Sequence, residues 1–363
     1  MTQTSTGTSP AAIQIGRNYG IDLLRILSMF MVVLLHVGGV GGLNQAAAGQ
    51  PFKQCLLSLL NIAAVCAVNC YGLISGYVGY KSTFRLSNLA TLWLQVFFYS
   101  AGFAILFFLL SPQTTSLKEV AKLFMPVIME RYWYFTAYFM LFLVSPLLNV
   151  AITYTPQKLF GFVLLISLFF LTVCQSTVLC TNAFGTNSGY SFVWLAVLYC
   201  VGGYIGKYGL PLKRGALLYG ACVLIVCGAE QIFSHYKEAI HNRLAAYNSP
   251  FVLLMAVGLL TAFAGLQLPK WMTKGVGWLA PLSFGVYLIH LHPFVRNNLL
   301  MDAFAELVRY PAVTMIPLVL GLTAAIYLVC SAIDLVRHHL FRWLKLKERL
   351  RKLEEKHLLK WIQ

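Results

Sequence analysis

Ten runs of predominantly apolar residues, each roughly 18–25 long, recur along this chain, and each is long enough to cross a bilayer. They lie near residues 19–40, 55–79, 88–110, 132–152, 159–180, 190–206, 215–234, 250–268, 276–295 and 312–335. Gly, Pro and charged residues mark the breaks, among them Gly38, Gly39, Pro112, Pro156, Pro211, Pro269 and Pro311. With 59% hydrophobic and only 10% charged residues, no soluble domain of this size hides so much apolar surface. The expected fold is therefore an all-α polytopic membrane protein of about ten transmembrane helices. A polar head (1–18) expected to be disordered precedes a membrane domain (19–336), and a basic tail (337–363) follows it. No internal repeat is visible.

The net charge of +16 follows topology and is not a nucleic-acid signal. With the N-terminus cytoplasmic, ten crossings put 18 of the 27 Lys and Arg inside and 8 outside, leaving Arg25 within the membrane. Half of the inner group comes from the tail. Both termini are therefore expected in the cytoplasm. In the tail, Leu340, Trp343, Leu350 and Leu353 alternate with Arg342, Lys345, Arg349 and Lys352, the pattern of an amphipathic basic helix on an anionic leaflet. The first run could pass for a signal peptide ending at Ala46-Ala47-Ala48. Its length and its internal Arg and His favour an uncleaved span. The nine cysteines fall almost wholly in apolar runs and read as small apolar residues, with a Cys174–Cys180 pairing open at the outer face.

Arg25 and His36 stand inside the first run. An ionisable residue in hydrocarbon costs at least a few kcal/mol, so it points to function. Eleven residues of helix make about three turns and rise about 16 Å, which puts both on one face. Such a face suits a long ligand with an anionic head. Snorkelling of Arg25 and a plain interhelical hydrogen bond from His36 are the structural alternatives.

Other residues stand out less sharply. In the second run Gly72 and Gly76 form a small-residue face for close helix packing, with Asn69 and Ser75 beside it as candidates to line a cavity. Lys81 and Arg85 follow as a pair suited to phosphate groups, lipid headgroups or topology. Trp133 and Tyr134 open the fourth run in a cluster dense enough to stack on a sugar as well as to form an interfacial belt. Tyr287 and His290 share a face of the ninth run, whereas His290 and His292 do not, so no metal site is expected. The chain has no P-loop, no GxSxG and no HExxH.

Taken together, these stretches resemble the acyltransferase 3 family of bacterial multipass membrane enzymes. Arg25 and His36 match that family's Arg-x10-His signature. Ser75-Gly76-Tyr77 resembles its Ser-Gly-aromatic step, and Tyr132-Trp133-Tyr134-Phe135 with Pro146 and Asn149 its aromatic span. Tyr199, Gly202, Gly203, Tyr204 and Gly206 are similar to its glycine-rich span, and the block from Ser283 to His290 to its Ser-Phe-Gly-Tyr-Leu-x-His motif. The resemblance implies a bacterial inner-membrane enzyme that moves an acyl group, usually acetyl, from cytoplasmic acetyl-CoA to a hydroxyl of a cell-surface polysaccharide or its lipid-linked precursor.

On that reading a neutral His36 takes the proton of the attacking hydroxyl, or itself accepts the acyl group. Arg25 orients the donor, and Asp22, one turn earlier, holds its guanidinium. Lys81, Arg85 and Ser75 are further candidates for the donor. Asn69, Trp133, Tyr134, Tyr287 and His290 are candidates for the acceptor. An acyl path is expected between the first, second and ninth spans. The alternative is a secondary transporter using Arg25 and His36 for substrate and proton coupling, though the repeated halves usual for transporters are missing.

Overall fold

The computed structural model describes residues 17–110, 122–179, 182–210, 212, 214–233 and 236–357. The polar head up to residue 16, Lys118, Cys180 with its suggested pairing, and the tail from residue 358 lie outside them. Among the described residues the fold is helical, with no strand.

The first helix, α1 (Tyr19–Gly38), starts where Asn18 accepts a hydrogen bond from the Ile21 amide. The second run is two helices, α2 (Pro51–Ala64) and α3 (Ala67–Gly79), separated by a break at Val65 and Cys66. Then come α4 (Leu86–Leu110), α5 (Trp133–Tyr154) and α6 (Gln157–Leu168), which runs on as a π-helix over Phe169–Leu179. Ser191 caps α7 (Phe192–Tyr208), and α8 (Gly215–Ile232) is followed by the short polar α9 (Lys237–Leu244). Ser249 with Pro250 starts α10 (Pro250–Ala264), and α11 (Lys270–Leu279) leads into α12 (Ser283–His290). Last are α13 (Ala312–Trp343) and α14 (Leu346–His357).

Among the described residues, seven helical segments are long and apolar enough to span a bilayer. An eighth is a bent pair, Lys270–His290 with Pro293–Arg309, kinked by 62°. The remaining two of the ten runs are α7 and α10, apolar but only 17 and 15 residues long. The chain is thus a multi-pass membrane protein. Leu109, Leu147, Leu217 and Val313 form part of an exposed apolar belt that lipid is suited to cover.

α1 is the axis of the fold, packed by α2, α3, α10, α12 and α13. Loss of the first run by cleavage would remove that axis. The small-residue face of α3 meets α7: a Cβ on Gly76 would run into the Tyr199 carbonyl, and one on Gly202 into that of Leu73. The two backbones touch because neither helix carries a side chain there. Asn149 ties α5 to the same pair, accepting from the Tyr199 hydroxyl at 2.8 Å and donating to the Gly79 carbonyl at 3.3 Å.

The tail departs from its expected start. α13 continues to Trp343, and Arg337 is a buried member of it. Asp334 receives Arg337 Nε at 3.0 Å and Nη2 at 2.6 Å, and on α4 the Tyr99 hydroxyl at 2.7 Å. Gly285 of α12 lies so close to the Asp334 carboxylate that a Cβ would collide with it. A charged residue near the end of an apolar run looked like its boundary because the sequence does not show that Tyr99 and Gly285 bury its partner Asp334.

The amphipathic helix proper is α14, whose Leu346, Leu350 and Glu354 face the protein. Glu354 accepts from the amides of Leu86 and Ser87 at 2.7 and 3.4 Å and from the Ser87 hydroxyl at 2.5 Å. It caps the start of α4, where the helix dipole favours an anion.

Candidate active site

Arg25 and His36 lie on α1 as their spacing demands, Arg25 in the first of three cavities and His36 between the other two. The basal cavity, about 880 Å³, is lined by Arg17, Asp22, Arg25, Tyr77, Tyr80 and Lys81. Asp22 is buried and bridges two guanidinium groups, Arg25 Nη1 at 2.9 Å and Arg17 Nε at 2.5 Å. With three cations against one carboxylate, the cavity is net positive. Arg85 is turned away from it, 3.7 Å from Glu355 of α14. Ser75 donates to the Tyr71 carbonyl one turn back along α3.

Tyr71 lines the next cavity, and its hydroxyl donates to the carbonyl of Arg25, whose side chain lines the basal one, at 2.8 Å. The middle cavity, about 680 Å³, is apolar and aromatic, walled by His36, Tyr71, Trp133, Tyr134, Tyr247 and Tyr287 among others. Its sides come from the first, second and ninth predicted spans, with the start of α5 closing the fourth side. Trp133 and Tyr247 stack with centroids 6.2 Å apart, and Tyr190 lies 4.7 Å from each. The outer chamber, about 940 Å³, shares Leu35, His36, Tyr190 and Tyr247 with the middle one. Among the described residues, His36 is therefore the one ionisable side chain lining both, other than the two tyrosines.

His290 stands behind His36 and not in the cavity. It is 1% exposed, and its Nε2 is 3.3 Å from His36 Nδ1. Its Nδ1 is 2.6 Å from the Val286 carbonyl. A carbonyl only accepts, so Nδ1 of His290 carries the proton, and in a neutral ring Nε2 then offers a lone pair. His36 Nδ1 donates to it, which leaves His36 Nε2 unprotonated. This tautomer assignment follows from the hydrogen-bond chain. The result is a base, or a nucleophile, between an apolar cavity and a polar one.

Asn69 lines none of these spaces. Its amide donates to the Tyr247 carbonyl at 2.7 Å and accepts from Trp194 Nε1 at 3.0 Å, clamping α3 to α7 and to the loop that carries Tyr247. Two residues escaped the sequence reading. Glu230, at the end of α8, is 1% exposed, 2.5 Å from the Ser58 hydroxyl and 2.7 Å from His241 Nδ1. A lone carboxylate in an apolar run was a signal of the kind that marked Arg25.

A membrane-embedded ionisable helix face, an aromatic cavity and an imidazole held in one tautomer describe a membrane transferase or transporter. The comparison with protein families decides between them: the family model described as an acyltransferase domain, that of acyltransferase 3, matches residues 18–335. The chain belongs to the acyltransferase 3 family and is a membrane acyltransferase. Neither the curated proteins nor the solved structures gave a match.

Proposed function

We propose that this acyltransferase takes its acyl group from a coenzyme A thioester entering at the basal end and passes it to a hydroxyl of a surface glycan or its lipid-linked precursor. The observation that carries this reading is His36, which borders the aromatic cavity on one side and the outer chamber on the other. In this reading the basal end faces the cytoplasm of a bacterial cell and the inner membrane surrounds the helices. Arg25, Arg17 and Lys81 take the donor's phosphates, Arg25 being held in place by Asp22. The pantetheine arm lies in the aromatic cavity, which needs Tyr71 to move aside.

The reaction then needs little from the protein. The acceptor oxygen bonds to the thioester carbonyl carbon while His36 Nε2 takes the hydroxyl proton. Collapse of the tetrahedral intermediate breaks the C–S bond, and the leaving thiolate takes the proton back, giving an ester and free coenzyme A. Direct transfer is favoured over an acyl-imidazole because both reactants reach His36 without the acyl group being carried between chambers. His290 acts as a positioning residue.

The test is thiol release and acyl transfer from labelled acetyl-CoA by purified protein in liposomes. His36→Ala should abolish turnover while still binding the donor. Arg25→Ala should raise the donor KM by about tenfold or more, as expected for a lost charge-assisted contact, with Arg25→Lys intermediate. Label trapped on wild-type protein alone would replace direct transfer with an acyl-His36 step. A folded protein that turns over no acyl-CoA would overturn the donor assignment.

A further inference from the structure

The acceptor candidates read from the sequence are the aromatic wall and Asn69, yet the space best suited to a sugar lies elsewhere. At the apical end, between α2, α8 and α9, a groove of about 850 Å³ is lined by Gln54, Ser58, Asn61, Glu230, Glu238 and His241. His241 also lines the outer chamber that contains His36, so groove and chamber share a wall.

The groove has a held part and an open part. Glu230 is a carboxylate removed from water, and such a group is costly unless it is held by hydrogen bonds. The Ser58 hydroxyl and His241 Nδ1 hold it, which pins α2 and α9 to α8. Asn61 likewise donates to Asn44 at 3.0 Å, and both amides line the groove. Gln54 and Glu238 make no side-chain hydrogen bond or ion pair among the described residues, and both face the same space. Amide, carboxylate and imidazole groups fixed around a cavity offer donors and acceptors in alternation, as sugar hydroxyls require. The charge narrows the ligand further. Among the described side chains, two carboxylates and no Lys or Arg line the groove, and no Lys or Arg lines the adjoining chamber.

We infer that this groove binds the acceptor's sugar ring, and that the ring is a neutral, polyhydroxylated unit and not a uronic acid. The inference rests on the acyl-transfer reading for its meaning, though not for its geometry. A ring seated on Gln54 and Glu238 extends past His241 towards His36, where the hydroxyl to be acylated meets the base. The aromatic cavity is then left to the donor arm.

Saturation-transfer NMR on the full chain in nanodiscs tests this, with methyl glucoside and methyl glucuronide as probes and labelled coenzyme A binding measured in parallel. Methyl glucoside should bind, with the glucuronide weaker by about tenfold or more. The double variant Gln54→Ala/Glu238→Ala, which removes two groove-lining contacts, should weaken glucoside binding by about tenfold or more. A separate Gln54→Trp variant, which fills the groove, should abolish binding in a protein with unchanged melting behaviour. Equal binding of both probes, glucoside binding unaffected by either variant, or no glucoside binding by folded wild type would overturn the inference. Glucoside binding lost in the variants, in a protein that ignores acyl-CoA, would leave the groove standing and remove the donor reading instead.

Discussion

Asp334→Asn tests the one buried charge pair on which the placement of α12 depends. The substitution keeps the volume and the oxygen that accepts from Tyr99, but leaves the Arg337 guanidinium, 7% exposed, without its anion. Breaking a buried pair in this way costs about 3–5 kcal/mol. The structure argues for the lower end, because Arg337 also borders a cavity of about 850 Å³ with Arg342 and Lys345 and can draw water from it. About 3 kcal/mol in a chain of this length lowers the melting temperature by about 4 °C. Thermal unfolding in detergent, followed by loss of the monodisperse peak, measures it. Adding Arg337→Met should restore most of the loss, since a hydrophobic replacement of a whole pair is close to neutral. Melting within 1 °C of wild type, or a double variant no better than the single one, would refute the assignment of the pair as a clamp.

Three further outcomes are expected. His290→Phe removes the acceptor that holds the His36 tautomer, so kcat should fall by about a hundredfold with donor KM unchanged, and His290→Gln, which still accepts, should recover part of it. Gly202→Val should give little folded protein, because its side chain meets the Leu73 carbonyl with no room to yield. The third concerns α14. Burial raises the Glu354 pKa, but the Ser87 hydroxyl, the amides of Leu86 and Ser87, and nearby Arg85 outweigh it and hold the carboxyl below its usual value of 4.5. A lowered folded-state pKa gives stability that is present above pH 4.5 and is lost as pH falls through the folded value. Protection of the α14 amides against hydrogen exchange, taken relative to the free-peptide rate at the same pH, should therefore fall in acid below about pH 4.5, and Glu354→Gln should show reduced protection already at neutral pH.

What the sequence made legible was local. The rise and rotation of a helix put Arg25 and His36 on one face without any knowledge of neighbours, and Gly72 and Gly76 announced a close approach, though not that its partner would be Gly202. Ser283 through His290 was recognised as a block, but the role of His290 was not, because its partner His36 lies 254 residues away in sequence. Asn69 was read as lining a cavity when both ends of its amide are taken by Tyr247 and Trp194. Arg337 was read as the start of a tail because Tyr99 and Gly285, which enclose its partner Asp334, come from distant helices. Glu230 and His241 passed unnoticed for a related reason: each is ordinary alone, and only the packing of α2, α8 and α9 makes a lined groove of them.

The most direct measurement is a cryo-EM structure in a lipid nanodisc with a non-hydrolysable thioether analogue of acetyl-CoA. The account expects the nucleotide beside Arg25 and Lys81, the arm through the aromatic cavity, and the acyl carbonyl carbon within reach of His36 Nε2. Nucleotide density at the Arg342 and Lys345 cavity, or an acyl group remote from His36, would contradict it.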